Sequence, residues 1–156
     1  MSDLRAMMAR QVRDGRVDWI GLRSARRADI RAVDGVDVTE DGLAGDHGHA
    51  GKRAVTLIQA EHLPVITALC GTQAAPERLR RNLVVSGINL ASLRGRDVRI
   101  GTAVLHLTGP CPPCSRMEEE LGPGGYQAVR HHGGWYAQVV TPGAVAVGDA
   151  VLPVAA

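Results

Sequence analysis

The chain has 156 residues, a formal net charge of +2, and 45% hydrophobic against 22% charged residues. That length fits one domain with one core, and the balance excludes wholesale disorder. With 3% aromatic residues, no Phe, and 18 basic against 16 acidic residues, neither base stacking nor a phosphate-backbone footprint is supported, so no nucleic-acid partner is expected.

The first residues, MSDLRAMMARQVR, place Leu4, Met7, Met8 and Val12 at helical spacing. A short helical segment is expected over 1–16, ahead of a single domain over 17–156. The segment lacks the apolar centre of a signal peptide, and no stretch approaches the ~18–20 apolar residues of a membrane span. A cytoplasmic protein with no membrane partner is expected. Cys70, Cys111 and Cys114 are an odd number of cysteines, unlike a secreted disulfide framework. Alternation in VDWIGL from Val17 predicts a strand, and residues 31–38 (RAVDGVDV) repeat it around a turn at Asp34 and Gly35. Residues 43–53 (LAGDHGHAGKR) are Gly-rich and polar and read as a loop. VTLI from Val55 is a buried strand, and 61–69 reads as a helix with Pro64 in its first turn. Residues 76–81 form a helical turn, and LVVS from Leu83 is a strand ended by Gly87.

Further on, short strands are expected at 98–100, 104–108, 137–140, 144–147 and 150–152, with helices at 115–121 and 126–130. Many short strands without regular helical crossovers predict a mainly-β (α+β) fold, a closed or partly closed β-barrel with short helical insertions.

The sharpest chemical feature is Gly109-Pro-Cys-Pro-Pro-Cys-Ser115, where a strand enters a Pro-stiffened turn and then a helix. Thiols at Cys111 and Cys114, just ahead of a helix N-terminus, sit where partial positive charge favours thiolate. Three readings compete with two ordinary buried cysteines. A thioredoxin-type redox pair wants a long helix in a βαβ setting, which this sequence lacks. A structural zinc site wants two further ligands, and the adjacent His131 and His132 point apart on a strand. One thiolate on a soft transition metal needs only a single Cys and a cradle for the rest.

Two further motifs could build that cradle. The loop Gly45-Asp46-His47-Gly48-His49 can approach a ligand with its backbone. Arg80-Arg81-Asn82 stands directly before a buried strand, where an Arg can be held and aimed at an anion. Lys52 and Arg53 have the same placement before the preceding strand. Seventeen of the eighteen basic residues are Arg, which suits bidentate contact with phosphate or carboxylate.

In order, GDHG, KRAVTLIQAEHL, RLRRNLVVSGINL, LRGRDVRIGTAVLHLTGPCPPC and TPGAVAVGDAVL resemble the MOSC domain, named for the C-terminal domain of molybdenum cofactor sulfurases. The resemblance spans about residues 19–152 and is to small stand-alone bacterial members. It implies a β-barrel and a molybdenum–pterin cofactor of molybdopterin type. It puts on Cys114 the role of thiolate ligand to molybdenum or of persulfide carrier, with Cys111 as neighbour. Arg80 and Asn82 match the family's Arg-x-Asn at the cofactor pocket. Pro113 stands where many members carry Arg, which shifts that task towards Arg116. The pyridoxal-phosphate domain of fused members has no counterpart, and Lys52 on a polar loop is a poor Schiff-base candidate, so pyridoxal phosphate is not expected.

By this resemblance the expected activity is reduction of N-hydroxylated small molecules, and the alternative is a non-catalytic carrier of sulfur or cofactor. For the reductase, Arg80 with Lys52 or Arg53 would hold the pterin phosphate, Asp46 would belong to the same cofactor-binding set, and His47, His131 or His132 would deliver a proton. No flavin, haem or iron–sulfur motif is visible, so electrons would come from a separate donor protein. A homo-oligomer stays open.

Overall fold

A computed structural model describes residues 3–155. Helix α1 (Leu4–Ala9) is capped by Asp3, whose carboxylate accepts from the Ala6 amide at 2.8 Å. No residue of α1 is buried, and Leu4, Met7, Met8 and Val12 are all exposed. The helical segment expected over 1–16 therefore contracts to α1, and residues 1 and 2 lie outside the described residues. The domain's first strand opens at Gly15 rather than Val17.

The strands that follow are β1 (Gly15–Arg23), β2 (Ile30–Val33), β3 (Gly35–Thr39), β4 (Gly42–Leu43) and β5 (Val55–Gln59). Helices α2 (His62–Cys70) and α3 (Pro76–Leu79) precede β6 (Leu83–Ser86), a 3-10 turn (Leu90–Leu93), β7 (Asp97–Ile100) and β8 (Ala103–Pro110). The chain ends with α4 (Ser115–Leu121), α5 (Gly125–Val129), β9 (Trp135–Thr141), β10 (Gly143–Ala146) and β11 (Ala150–Pro153).

Strands pair in the order β11-β7-β8-β9-β5-β6-β1, and β1 returns onto β11 through Gly15 opposite Val151. Seven strands thus close into a barrel, with β2 added outside the ring on β1. The barrel is mixed because β5 and β6 run parallel. Such a pair needs a long crossover, which α2 and α3 supply. Strands β10, β3 and β4 form a separate sheet. The alternating run at 31–38 is consequently not a hairpin: β2 pairs with β1, and β3 with β10 and β4. The chain changes sheets at Asp34.

Two cores hold this arrangement. Strand β5 is buried along its whole length because its two faces meet different partners. Val55 and Leu57 enter the barrel interior with Leu83, Leu105 and Leu107, while Ile58 faces an outer cluster with Ile66, Leu79, Met117 and Leu121. Strand β6 repeats the split, with Leu83 and Val85 inward and Val84 outward. A register shift between Val17 and Trp19 lets Val17 and Ile20 both face the interior. Each fully buried Leu, Ile or Met contributes roughly 1.5–3 kcal/mol of transfer free energy. The outer cluster matters for function because Met117 and Leu121 clamp α4 to the barrel wall and so fix the turn that precedes it.

Candidate functional site

The turn at 111–114 joins β8 to α4, and its two cysteines have different surroundings. Pro110 pairs with Trp135 on β9, and the Cys111 amide donates to the Gly134 carbonyl at 2.8 Å. Gly134 has φ +98°, and a side chain there would drive its Cβ into the Leu57 carbonyl of β5. Three strands therefore pin Cys111, which is buried. Burial pushes its thiol up to about 11, against the opposing charges of Arg81, Arg23 and Arg53. Cys114 is the N-cap residue of α4 and is exposed. Cys70 is half-buried beside the outer cluster, with its thiol 3.2 Å from the Thr72 carbonyl. All three are free thiols.

The turn also separates two cavities. The larger, about 780 Å³, takes in Cys111 with Pro112 and Pro113, and its other walls include Trp135, Tyr136 and Tyr126. Lys52, Arg53, Arg94 and Arg130 line it, and no Asp or Glu does. The Arg53 guanidinium lies 4.9 Å from the Tyr136 ring centre, a cation–π contact. The smaller cavity, about 260 Å³, takes in Cys114 and Ser115 with Arg23, Arg26, Arg27, Arg80, Arg81 and Arg116. Ligand pockets for drug-sized molecules run to ~300–1,000 Å³. The large cavity accepts a molecule of that size; the small one accepts only a small group.

Six guanidiniums converge on the small cavity by distinct devices. Arg23, at the end of β1, is held by Asp46: its amide donates at 2.7 Å and its Nη2 at 3.1 Å to the carboxylate. Burial alone would raise Asp46, but hydrogen bonds and charge from Arg23, with Asn82, outweigh it and hold Asp46 below the usual carboxylate range. Arg80 ends α3 in a left-handed conformation and donates to the carbonyls of Ala28 at 2.6 Å and Arg26 at 3.2 Å. Burial, then the like charges of Arg116 and Arg23, lower its pKa from the usual arginine value. Arg81 donates to the Gly133 carbonyl at 2.7 Å and so braces the wall shared with the large cavity.

Among the described residues, carboxylates pair with three of the six: Asp46 with Arg23, Glu119 with Arg27 at 3.6 Å, and Glu120 with Arg116 at 3.1 Å. Positive charge remains in excess around the Cys114 thiol.

The residues expected as one cradle are divided between places. Arg80, His47 and Cys114 share the small cavity, whereas Lys52, Arg53, Cys111 and His131 line the large one. Lys52 and Arg53 therefore line a different cavity from Arg80. Asp46 has a fully enclosed side chain spent on Arg23 and on the Gly48 amide; it positions an arginine. Asn82 is wholly buried, and its Oδ1 accepts from the Thr56 amide at 3.0 Å while its Nδ2 donates to the Gly21 carbonyl at 3.0 Å. It lines neither cavity and ties β5 to β1 beneath the two arginines. His132 stacks edge-on against His62 with ring centres 5.1 Å apart, and its Nδ1 is buried without a partner. Burial, then His62 and His131, lower its pKa. His49 is exposed on the loop.

Sequence reasoning missed Arg23, Arg26 and Arg27, although RSARR directly after a strand carries the same signal as RRN directly before one. Among the described residues, no three His, Cys, Asp or Glu side chains gather as a metal set, which removes the further ligands a zinc site would need. No helix among them is long and apolar enough to cross a membrane.

The MOSC domain family model matches residues 44–152. Among solved structures, the YUAD protein from Bacillus subtilis superposes with TM-score 0.79 at 21% identity, covering 89% of this chain and 94% of that one. YiiM from Geobacillus stearothermophilus gives 0.75 at 19% identity, covering 90% and 75%. YiiM from Escherichia coli gives 0.69 at 23% identity, covering 90% and 70%. Among curated proteins no sequence matches. At these identities the structural likeness shows a shared fold.

Proposed function

This chain belongs to the MOSC domain family, and from that premise we propose that it binds a molybdenum–pterin cofactor through Cys114 and reduces N-hydroxylated small molecules. The observation that carries the reading is an exposed thiol opening on an arginine-lined cavity, beside a second cavity of cofactor or substrate size. The residues fit such a group in charge and chemistry. A phosphorylated, dithiolene-bearing pterin is anionic, and neither cavity is lined by a carboxylate. Cys114 would supply the thiolate, Arg80, Arg81, Arg26 and Arg116 the positive charge in the small cavity, and the large cavity with Lys52, Arg53, Arg94 and Arg130 the room for the bulk of the cofactor. When bound, the cofactor supplies the two-electron chemistry that removes oxygen from N–OH.

The chain's own residues do the remaining work. Asp46 holds Arg23 in the wall of the cavity that takes in Cys114. Trp135 and Tyr136 offer flat faces that orient a planar substrate and exclude water. His47, in the same cavity as Cys114, and His131, in the larger one, can hold a proton at an imidazole nitrogen. Electrons would come from a separate donor protein.

The test is protein made in a host that synthesises the cofactor. About one molybdenum per chain with N-hydroxy reductase activity supports the reading, and Cys114→Ala should lose both while Cys111→Ala is milder. Equal loss from both variants points instead to a dithiol site. The exposure of Cys114 also supports a second reading, a carrier holding sulfur as a persulfide without turnover. Cyanide-labile sulfur without molybdenum would favour it.

A further inference from the structure

We infer that the arginine cavity beside Cys114 takes thiosulfate, and that Cys114 accepts its outer sulfur atom in the cofactor-free protein. The step needs no molybdenum, so it stands apart from the reductase reading and extends the carrier reading with a sulfur source.

Three observations carry it. The first is size: about 260 Å³ is too small for a drug-sized ligand yet ample for a small oxyanion. The second is charge. Six arginines line the cavity against three partnering carboxylates, none of which lines it. Among the described residues the Arg26 guanidinium forms no ion pair with a carboxylate. Among the described residues Arg80 gives Nη1 and Nη2 to the Ala28 and Arg26 carbonyls, two of the five N–H donors of a guanidinium, so it retains donor capacity for an anion. The third is the nucleophile: the only thiol in this cavity is the exposed Cys114, while Cys111 is buried on the other side of the turn.

In the step, the Cys114 thiolate attacks the sulfane sulfur of thiosulfate. A new S–S bond forms to Cys114, the S–S bond of thiosulfate breaks, and sulfite leaves with the electron pair. The products are a Cys114 persulfide and sulfite, with the total charge unchanged and no outside oxidant or reductant required. Arginines already in place meet the charge that grows on the departing sulfite, which is where preorganised donors act most strongly. A thiol acceptor, or cyanide in an assay, then takes the sulfur and regenerates the thiolate.

The experiment uses cofactor-free full-length protein with thiosulfate, intact-mass spectrometry and a thiocyanate-release assay. One sulfur should add to Cys114, and Cys111→Ala should load as wild type does. Arg26→Ala and Arg116→Ala should each raise the thiosulfate KM about tenfold, the loss expected for one charge-assisted hydrogen bond. Modification of Cys114 by an uncharged organic trisulfide, which leaves a mixed disulfide and releases a hydropersulfide, should not change in either variant, because it makes no use of the arginines. Arg99→Ala, exposed on β7 and lining neither cavity, serves as the control for nonspecific charge. No adduct at saturating thiosulfate would overturn the inference. So would an adduct on Cys111 or Cys70 first, an unchanged KM in both arginine variants, or equal losses with both donors. None of these outcomes bears on molybdenum content, so the two proposals fail separately.

Discussion

Alkylation of the native protein with a small neutral reagent tests the asymmetry between the two cysteines of the turn. Cys111 is 5% exposed, and burial pushes its thiol from 9.0 to about 11. Only the thiolate reacts, so below pH 9 a rise of two units cuts its reactive fraction about a hundredfold relative to the unfolded chain. Limited access adds to that factor. Native Cys114 should be fully modified before Cys111 is detectable by peptide mass spectrometry, and urea should speed Cys111 by about a hundredfold or more. Its native rate should climb about tenfold per pH unit until about pH 11. The same shift links to stability with a definite sign. Between about pH 9 and 11 the unfolded thiol has ionised while the folded one has not, so the folded state binds more protons and stability falls as pH rises, by up to ~1.4 kcal/mol per unit. Cys111 reacting before Cys114, or at the same rate folded and in urea, would refute the reasoning.

Asp46→Asn should cost about 2–4 kcal/mol in urea unfolding, because it leaves the Arg23 guanidinium facing a neutral amide in a largely buried site. In wild type the contribution of that pair should persist through mildly acidic pH and vanish as pH falls through the lowered Asp46 pKa. Asn82→Ala strands the Thr56 amide and the Gly21 carbonyl inside the barrel wall. About 2–6 kcal/mol should be lost in a thermal or urea melt, at ~1–3 kcal/mol for each of the two groups left unpaired. Gly134→Ala forces a Cβ onto the Leu57 carbonyl at positive φ; a loss of more than about 3 kcal/mol, or no soluble protein, is expected. Gly51→Ala, at positive φ but with nothing within 4 Å, should cost less in the same assay.

Much of the barrel was legible because turn residues bracket each strand. Gly87, at φ +83°, ends β6 as the sequence suggests, and α4 spans the expected 115–121. The failures share one cause: a strand's period says which residues alternate, not which strand lies beside it. The run RAVDGVDV alternates on both sides of Asp34 and looks like a hairpin, yet β2 belongs to the barrel and β3 to the second sheet. At the N-terminus, Leu4, Met7 and Met8 have helical spacing, but the helix packs none of them. Periodicity predicted the element and could not supply a partner for its face.

The site was harder to read because its charge is assembled across the whole chain. Arg23 meets Asp46 over 23 residues, and Arg80 reaches Ala28 over 52. Within Arg80-Arg81-Asn82 the three side chains separate by task. Arg80 reaches back to the loop after β1, Arg81 braces Gly133, and Asn82 disappears into the wall. The conformation explains why the motif works as a unit. The left-handed turn at Arg80 ends α3, and Asn82 then locks the chain to β5 and β1. Two guanidiniums are thereby held against backbone carbonyls, and burial opposes the charge of Arg80. Such an arrangement costs folding free energy unless hydrogen bonds or a bound anion offset it. An anion bound beside Cys114 should therefore raise the melting temperature of the protein, and thermal melts with and without sulfate check it.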